Sequence, residues 1–284
     1  MHGTWSSLLL VPCLMLICLL LILSGMRLQF GCAILESASR RSTPSGPPGG
    51  SPVGQANVKT LNRFCPQCEG PLCKRKFLFI VATGRSGSTS LMNMVSLIDG
   101  VFLYGENYGA LRHLGQMQER FFSTLAAQGH DAPLLAERLL LHSQDWLWDF
   151  LTPPSFLNDW KQSVSIRGFK EIRWDATAFQ FVRRTCPCSR FIFNYRLDKD
   201  AQSQSAFYKT RNASPESLSI FTQQMRQLLE ETELPFLELP LENFTLSSFN
   251  RLAHWLGAEC RFTNITHSNA NGTYAESESS ARCA

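Results

Sequence analysis

The chain has 284 residues and a formal net charge of +4, from 27 Lys and Arg against 23 Asp and Glu. That balance is too mild for bulk electrostatics to suggest a nucleic-acid partner. No internal repeat points to an array architecture.

In chain order, the first signal is an apolar run of sixteen residues at 8–23, LLLVPCLMLICLLLIL. A spanning helix wants ~20 residues, so this run with its flanks predicts a signal anchor over 8–28, with 1–7 as a short cytoplasmic tail. A cleaved signal peptide is the alternative, which would give a secreted form. Against it, no small-x-small cleavage site follows promptly and no basic residue precedes the run. Residues 29–63 are expected to be a lumenal stem: 36–63 are rich in Ser, Pro and Gly, with SGPPGGSP at the centre, a composition that cannot bury a core.

Downstream features set the compartment. Four Asn-x-Ser/Thr sequons occur, at Asn212, Asn243, Asn264 and Asn271, and such acceptors matter only in the secretory lumen. Seven cysteines lie beyond the stem: Cys65, Cys68, Cys73, Cys186, Cys188, Cys260 and Cys283. Their clustering suits disulfides in an oxidising compartment, and the odd number leaves one unpaired, or paired with Cys32 or another chain. Cys65, Cys68, Cys186 and Cys188 together also admit a four-thiolate zinc reading, which the sequons and anchor disfavour. Sequence leaves the pairing open, though a link from the 65–73 cluster to the 186–188 pair would tie the domain's entry to its middle.

From 64 to 262 the chain is long enough for one α/β domain. Apolar runs at 77–82, 101–104, 164–166, 191–195 and 236–239 predict strands. Helix-like segments lie between them. One at 88–98 puts Leu91, Val95 and Ile98 on one face. Another opens at Ser214-Pro215, with Ser as N-cap, and runs to about 231. Thr245 caps a third that ends before Gly257. Strands alternating with helices predict a mainly parallel sheet covered on both faces, with ligands bound beyond the carboxyl ends of the strands. The remainder, 263–284, reads as a polar, sequon-bearing tail.

The segment 77–90, FLFIVATGRSGSTS, is the most telling. A strand, a small-residue loop with one cation and a helix start together form an anion site. The loop is not that of a nucleotide triphosphatase, because Gly84 and Gly87 are three apart, no Lys follows Gly87, and the one cation is Arg85. The other strand ends bring Glu106, then Lys170, Glu171 and Arg173, then Arg196 to the same rim. Lys170 and Arg173 read either as contacts to an acidic acceptor or as a solvated strand end. Asp145-Trp146-Leu147-Trp148 offers faces for a sugar, or a helix's core side; Arg183-Arg184 reads as a helix-end charge pair.

TGRSGST resembles the 5′-phosphosulfate loop of the sulfotransferases that use 3′-phosphoadenosine-5′-phosphosulfate. RFIFNYRLDKDAQSQSAFY resembles their 3′-phosphate segment, in which a strand ends in Arg and a later helix offers Ser. Arg196 matches the Arg. The usual spacing falls on Gln204, with Ser203 and Ser205 flanking it; Ser205 is preferred because Ala-Phe-Tyr follows. FLELPLENFTLSSFNRLAHWLG resembles the strand, acidic residue and short helix that close many such domains. The anchor, stem and sequons resemble the Golgi carbohydrate branch of that family.

That resemblance implies a P-loop sulfotransferase-like fold in a single-pass type II Golgi membrane protein, its catalytic domain in the lumen. It implies sulfuryl transfer to a hydroxyl or amine of a glycan or glycoprotein acceptor, without a metal. Thr83, Gly84, Arg85, Ser86, Gly87, Ser88, Thr89 and Ser90 would hold the 5′-phosphosulfate, with Arg85 stabilising the leaving charge; Arg196 with Ser203 or Ser205 would hold the 3′-phosphate. Glu106 is the expected general base and His113 its competitor. The alternatives are a lumenal glycoprotein that keeps the fold without catalysis, encouraged by the displaced Ser, and a nucleotide-dependent kinase, which the absent loop Lys disfavours.

Overall fold

The computed structural model describes residues 64–128, 132–151, 164–266 and 283. The expected tail at 1–7, anchor at 8–28, stem at 29–63 and the Asn271 sequon lie outside the described residues. Among the described residues no helix is long and apolar enough to cross a membrane.

Five parallel strands form one sheet in the order β2-β3-β1-β4-β5. They are β1 (Lys76–Ala82), β2 (Val101–Tyr104), β3 (Ile166–Glu171), β4 (Ser189–Asn194) and β5 (Phe236–Glu238). The helices are α1 (Ser88–Val95), α2 (Ala110–Gln128), α3 (Ala132–Phe150), α4 (Ala176–Thr185), α5 (Lys199–Ser203), α6 (Ala206–Lys209), α7 (Pro215–Glu231) and α8 (Leu246–Leu256). The chain is therefore α/β, a parallel sheet flanked by helices.

The central strand shows why. In β1, KFLFIVA, every residue after Lys76 is buried, as a strand covered on both faces requires. Successive side chains alternate between two cores. Leu78 and Ile80 join Leu91, Met94 and Val95 of α1 and Phe249, Leu252 and Leu256 of α8. Phe77, Phe79 and Val81 join Leu147 of α3, Phe179 and Val182 of α4, and Met225 and Leu229 of α7. In the second core Trp174 lies 4.9–5.9 Å from the rings of Phe79, Phe169, Phe179 and Phe191, stacked or edge-on.

The helix starts follow local chemistry. Ser214 accepts from the Ser217 amide ahead of Pro215, and Thr245 accepts from the Ser248 amide before a helix that Gly257 ends. Asp175 and Asp198 cap α4 and α5 in the same way.

Two expectations change. The third strand was expected at 164–166 but runs Ile166–Glu171, because Arg167, Gly168, Lys170 and Glu171 interrupt an apolar run while all being buried. Gly168 is dictated by close approach: a Cβ there would sit 1.6 Å from the Leu78 carbonyl oxygen on β1. Arg167 lays its guanidinium 4.2 Å above the Trp148 ring and donates to the Trp148 carbonyl. In addition, the long helices α2 and α3 lie between β2 and β3 in the chain, where the helical reading rested on isolated residues such as Trp146 and Trp148 and gave no bounds.

The disulfides are Cys65–Cys188, Cys68–Cys73 and Cys260–Cys283. The first ties the domain's entry to its middle. Cys186 is the one of the seven candidates left unpaired among the described residues, a buried thiol. It faces the α4 core, whereas Cys188, two residues on, faces the opposite core beside Cys65. Burial pushes the Cys186 thiol well above its ordinary value. Three of the four sulfurs of the zinc alternative are thus committed to disulfides, and among the described residues no group of three or more His, Cys, Asp or Glu is placed to hold a metal.

Candidate functional site

The carboxyl ends of all five strands open onto one cavity of about 360 Å³, within the usual range for small-ligand sites. Gly84, Arg85, Gly87, Ser88, Thr89 and Ser90 line it after β1, Glu106 after β2, Lys170 and Ile172 at the end of β3, Arg196 after β4, and Leu241 after β5. Ser205 and Phe207, at the start of α6, close the far side.

The β1–α1 loop is built to present amides. Gly84, Arg85 and Gly87 all take positive φ, 71°, 52° and 75°. For Arg85 this left-handed conformation is strained and must be held by its surroundings. The first-turn amides of α1 begin at Ser88, with Gly87 as N-cap, so unsatisfied N–H groups and the positive end of the helix dipole face the cavity. Thr83 and Ser86 do not line it. Both are buried and hold the loop: the Ser86 hydroxyl donates to Asn194 Oδ1 at 2.6 Å, and Thr83 accepts from Gln202.

Arg196, after β4, also lines the cavity. Among the described residues its buried Nε has no hydrogen-bond partner; Glu242 Oε1 is 3.9 Å away. Glu242 is occupied elsewhere, accepting from the amides of Leu197 and Asp198. Burial tends to raise its carboxyl, but those amides and Arg196 outweigh it and hold it below the ordinary value. A buried guanidinium nitrogen without a partner is expensive unless something anionic completes it. Ser205 lines the same cavity, its hydroxyl donating to the Gln202 carbonyl at 2.8 Å; Ser203 does not line it, and donates to the Asp200 carbonyl at 2.8 Å.

Glu106 sits between two cations. Its Oε1 accepts from Lys170 Nζ at 2.7 Å and its Oε2 from Arg173 at 3.0 Å. Partial burial tends to raise its carboxyl, but these two partners overcome that and leave it below the ordinary value. Lys170 and Arg173, expected as acceptor contacts or a solvated strand end, are therefore ion-paired to Glu106. Lys170 is buried and lines the cavity; Arg173 reaches it only through Glu106. Glu171, 2% exposed, accepts from the amides of Asn107, Gly109, Ile172 and Arg173 and so fixes the turn that carries Glu106.

His113 stands apart from the cavity. It is exposed on α2 and does not line the cavity, because α2 begins after the rim turn and packs along α4. Trp148 lies against Arg75, Phe77 and Arg167, at the amino ends of the strands and away from the cavity. Arg183 and Arg184 end α4 and pair with Glu233 and Glu119. Asn212, Asn243 and Asn264 are all exposed, which leaves each open to a glycan.

Sequence reasoning missed Gln202 and Tyr208. Gln202 Nε2 donates to the Gly84 carbonyl at 2.7 Å and to both oxygens of Thr83 at 3.2 Å; the Tyr208 hydroxyl donates to the Thr83 carbonyl. Nothing in a Gln within a polar run marks it as fully buried.

No family model matches this chain, and no curated protein matches it. The reading of the site rests on its residues.

Proposed function

We propose that this chain transfers a sulfuryl group from 3′-phosphoadenosine-5′-phosphosulfate to a hydroxyl (or amine) of a glycan in the Golgi lumen, on a P-loop sulfotransferase-like fold. One observation carries the proposal. A single cavity is lined both by an amide-presenting loop and by Arg196 and Ser205, with Arg85 and Arg196 lying 111 residues apart in sequence (85 to 196). A nucleoside with phosphates on both its 3′ and 5′ positions fits an anion site with two such groups of donors.

The donor supplies an activated sulfuryl group. In this reading the amides across Gly84–Thr89 hold the 5′ end, with Ser88 and Thr89 adding hydroxyls. Arg85 neutralises charge that builds on the departing phosphate, and Arg196 and Ser205 hold the 3′-phosphate. Glu106 is the carboxylate among the cavity's lining residues, and so the one that an acceptor hydroxyl entering there would meet. As it takes that hydroxyl's proton, Glu106 loses the charge that pairs it with its two cations, and Lys170, released, turns its charge to the sulfuryl oxygens. The disulfides are compatible with a lumenal protein.

A second reading keeps the fold without catalysis. The double pairing of Glu106 and the outward position of His113 favour it, since neither residue stands free as a base. Melting of the purified protein separates the readings. A ligand that binds only the folded state raises the midpoint with its concentration over its affinity. A shift with adenosine 3′,5′-bisphosphate that Arg196→Ala abolishes supports the donor site, and sulfate turnover on a glycan then decides for the enzyme. A shift with ATP–magnesium alone overturns both readings in favour of a kinase.

A further inference from the structure

We infer that Gln202 couples the two groups of donors in the cavity, so that a 3′-phosphate at Arg196 and Ser205 sets the Gly84–Gly87 loop for the 5′ end of the same nucleotide. This rests on the donor site proposed above and adds to it a residue that neither lines the cavity nor touches the ligand.

Gln202 is fully buried, between the 3′ end and the loop. Its side-chain amide reaches three loop oxygens, Gly84 O at 2.7 Å and Thr83 O and Oγ1 at 3.2 Å each. Its Oε1 accepts from Lys199 Nζ at 3.4 Å, so acceptors on one side and a donor on the other fix which way the amide points. Its main-chain carbonyl accepts from Ser205 twice, from the amide at 3.2 Å and from Oγ at 2.8 Å. A continuous hydrogen-bonded run therefore leads from Ser205 through Gln202 to Gly84, next to the strained Arg85.

The neighbouring contacts leave little slack. A Cβ on Gly84 would lie 2.8 Å from the Tyr208 hydroxyl oxygen, so α6 presses directly on the loop. When the Ser205 hydroxyl turns from the Gln202 carbonyl to a phosphate, the hold on Gln202 changes, and Gly84 and Arg85 feel it. Coupling of this kind is reciprocal and has a measurable size. A merely structural Gln202 would instead weaken every ligand by one common factor.

Isothermal titration of the full chain in detergent with adenosine, adenosine 5′-monophosphate, adenosine 3′-monophosphate and adenosine 3′,5′-bisphosphate decides. In the wild type the bisphosphate should bind about tenfold tighter than the two single-phosphate gains multiply to, within the range usual for coupled sites. In Gln202→Leu that excess should vanish while each monophosphate loses less than about threefold. Additive gains in the wild type overturn the inference, as does an excess that survives in Gln202→Leu or a uniform loss across all four ligands. If no ligand binds the wild type, the donor-site reading itself falls and takes the inference with it. Should Gln202→Leu fail to fold, amide exchange in the wild type still tests the point. Adenosine 3′-monophosphate, which has no 5′ group, should slow exchange at Gly84–Gly87, and unchanged exchange there overturns the coupling.

Discussion

Ser86 and Asn194 form a buried hydrogen bond of 2.6 Å that pins the middle of the β1–α1 loop to the end of the neighbouring strand β4. Both residues are fully buried, and Asn194 donates in turn to the Leu239 carbonyl at 2.9 Å. One amide thus spans the ends of β1, β4 and β5. Ser86→Ala removes the donor and leaves a buried acceptor without a partner, which costs about 1–3 kcal/mol. The expected result is a lower denaturant midpoint with an unchanged slope. A midpoint within error of the wild type would show that the loop is not held from beneath in this way.

The Glu106 pairing sets an acid limit. Its carboxyl lies lower in the folded chain than in the unfolded one, where it titrates at about 4.3. The stability it contributes is complete above that unfolded value and is lost as pH falls through the lower folded value. Glu106→Gln should flatten this part of the acid limb of melting temperature against pH. It should also destabilise at pH 7 by about 3 kcal/mol, because Lys170, with a side chain 9% exposed, is left without its anion. Arg173 keeps Glu171 at 3.2 Å. Adding Lys170→Met to Glu106→Gln should recover most of the loss; no recovery would place the cost elsewhere than in the stranded charge.

What the sequence disclosed followed hydrophobic pattern and local chemistry. The apolar run of β1, the Ser214-Pro215 start and the Thr245 cap were each legible because neighbours in the chain determine them. β3 was misplaced because its polar residues are satisfied only by partners far along the chain: Trp148 for Arg167 and Glu106 for Lys170. The same cause hid Gln202, whose three acceptors lie 118 or 119 residues away. In the site, residue types with an intrinsic meaning (Gly, Ser and Arg in the loop, Arg196 after a strand) could be named. Which of them face the cavity could not, since Ser86 and Ser88 differ only in the direction that a strained turn gives them.

The three disulfides among the described residues should differ in worth. Cys65–Cys188 closes a separation of 123 residues and Cys68–Cys73 one of five. Chain entropy alone makes the long link worth about 4–5 kcal/mol and the short one about 2 kcal/mol. Replacing Cys65 and Cys188 together by Ala should therefore lower stability at least twice as much as replacing Cys68 and Cys73, measured by denaturant melts under oxidising conditions. Without reductant, alkylation of the native protein followed by peptide mapping should leave Cys186 unmodified, since its thiol is buried and its acidity suppressed. Labelling of Cys186 should appear only after denaturation.

Ser203 and Ser205 flank the position that the usual spacing selects, Ser205 being preferred for the Ala-Phe-Tyr that follows it, and the fold separates them. Ser205 lines the cavity with Arg196 and Ser203 does not, although each hydroxyl donates at 2.8 Å to the carbonyl three residues back, Gln202 for Ser205 and Asp200 for Ser203. A hydrogen bond to a charged phosphate is worth about 1.5–3 kcal/mol, so Ser205→Ala should weaken adenosine 3′,5′-bisphosphate by roughly tenfold or more. Adenosine 5′-monophosphate, with no 3′-phosphate, should lose far less. Ser203→Ala should leave both affinities within about twofold, because its hydroxyl faces neither ligand nor loop. Equal losses in the two variants would mean that the helix, rather than one hydroxyl, governs binding. A loss confined to Ser203→Ala would move the 3′-phosphate out of the cavity that Arg196 lines, and the donor site with it.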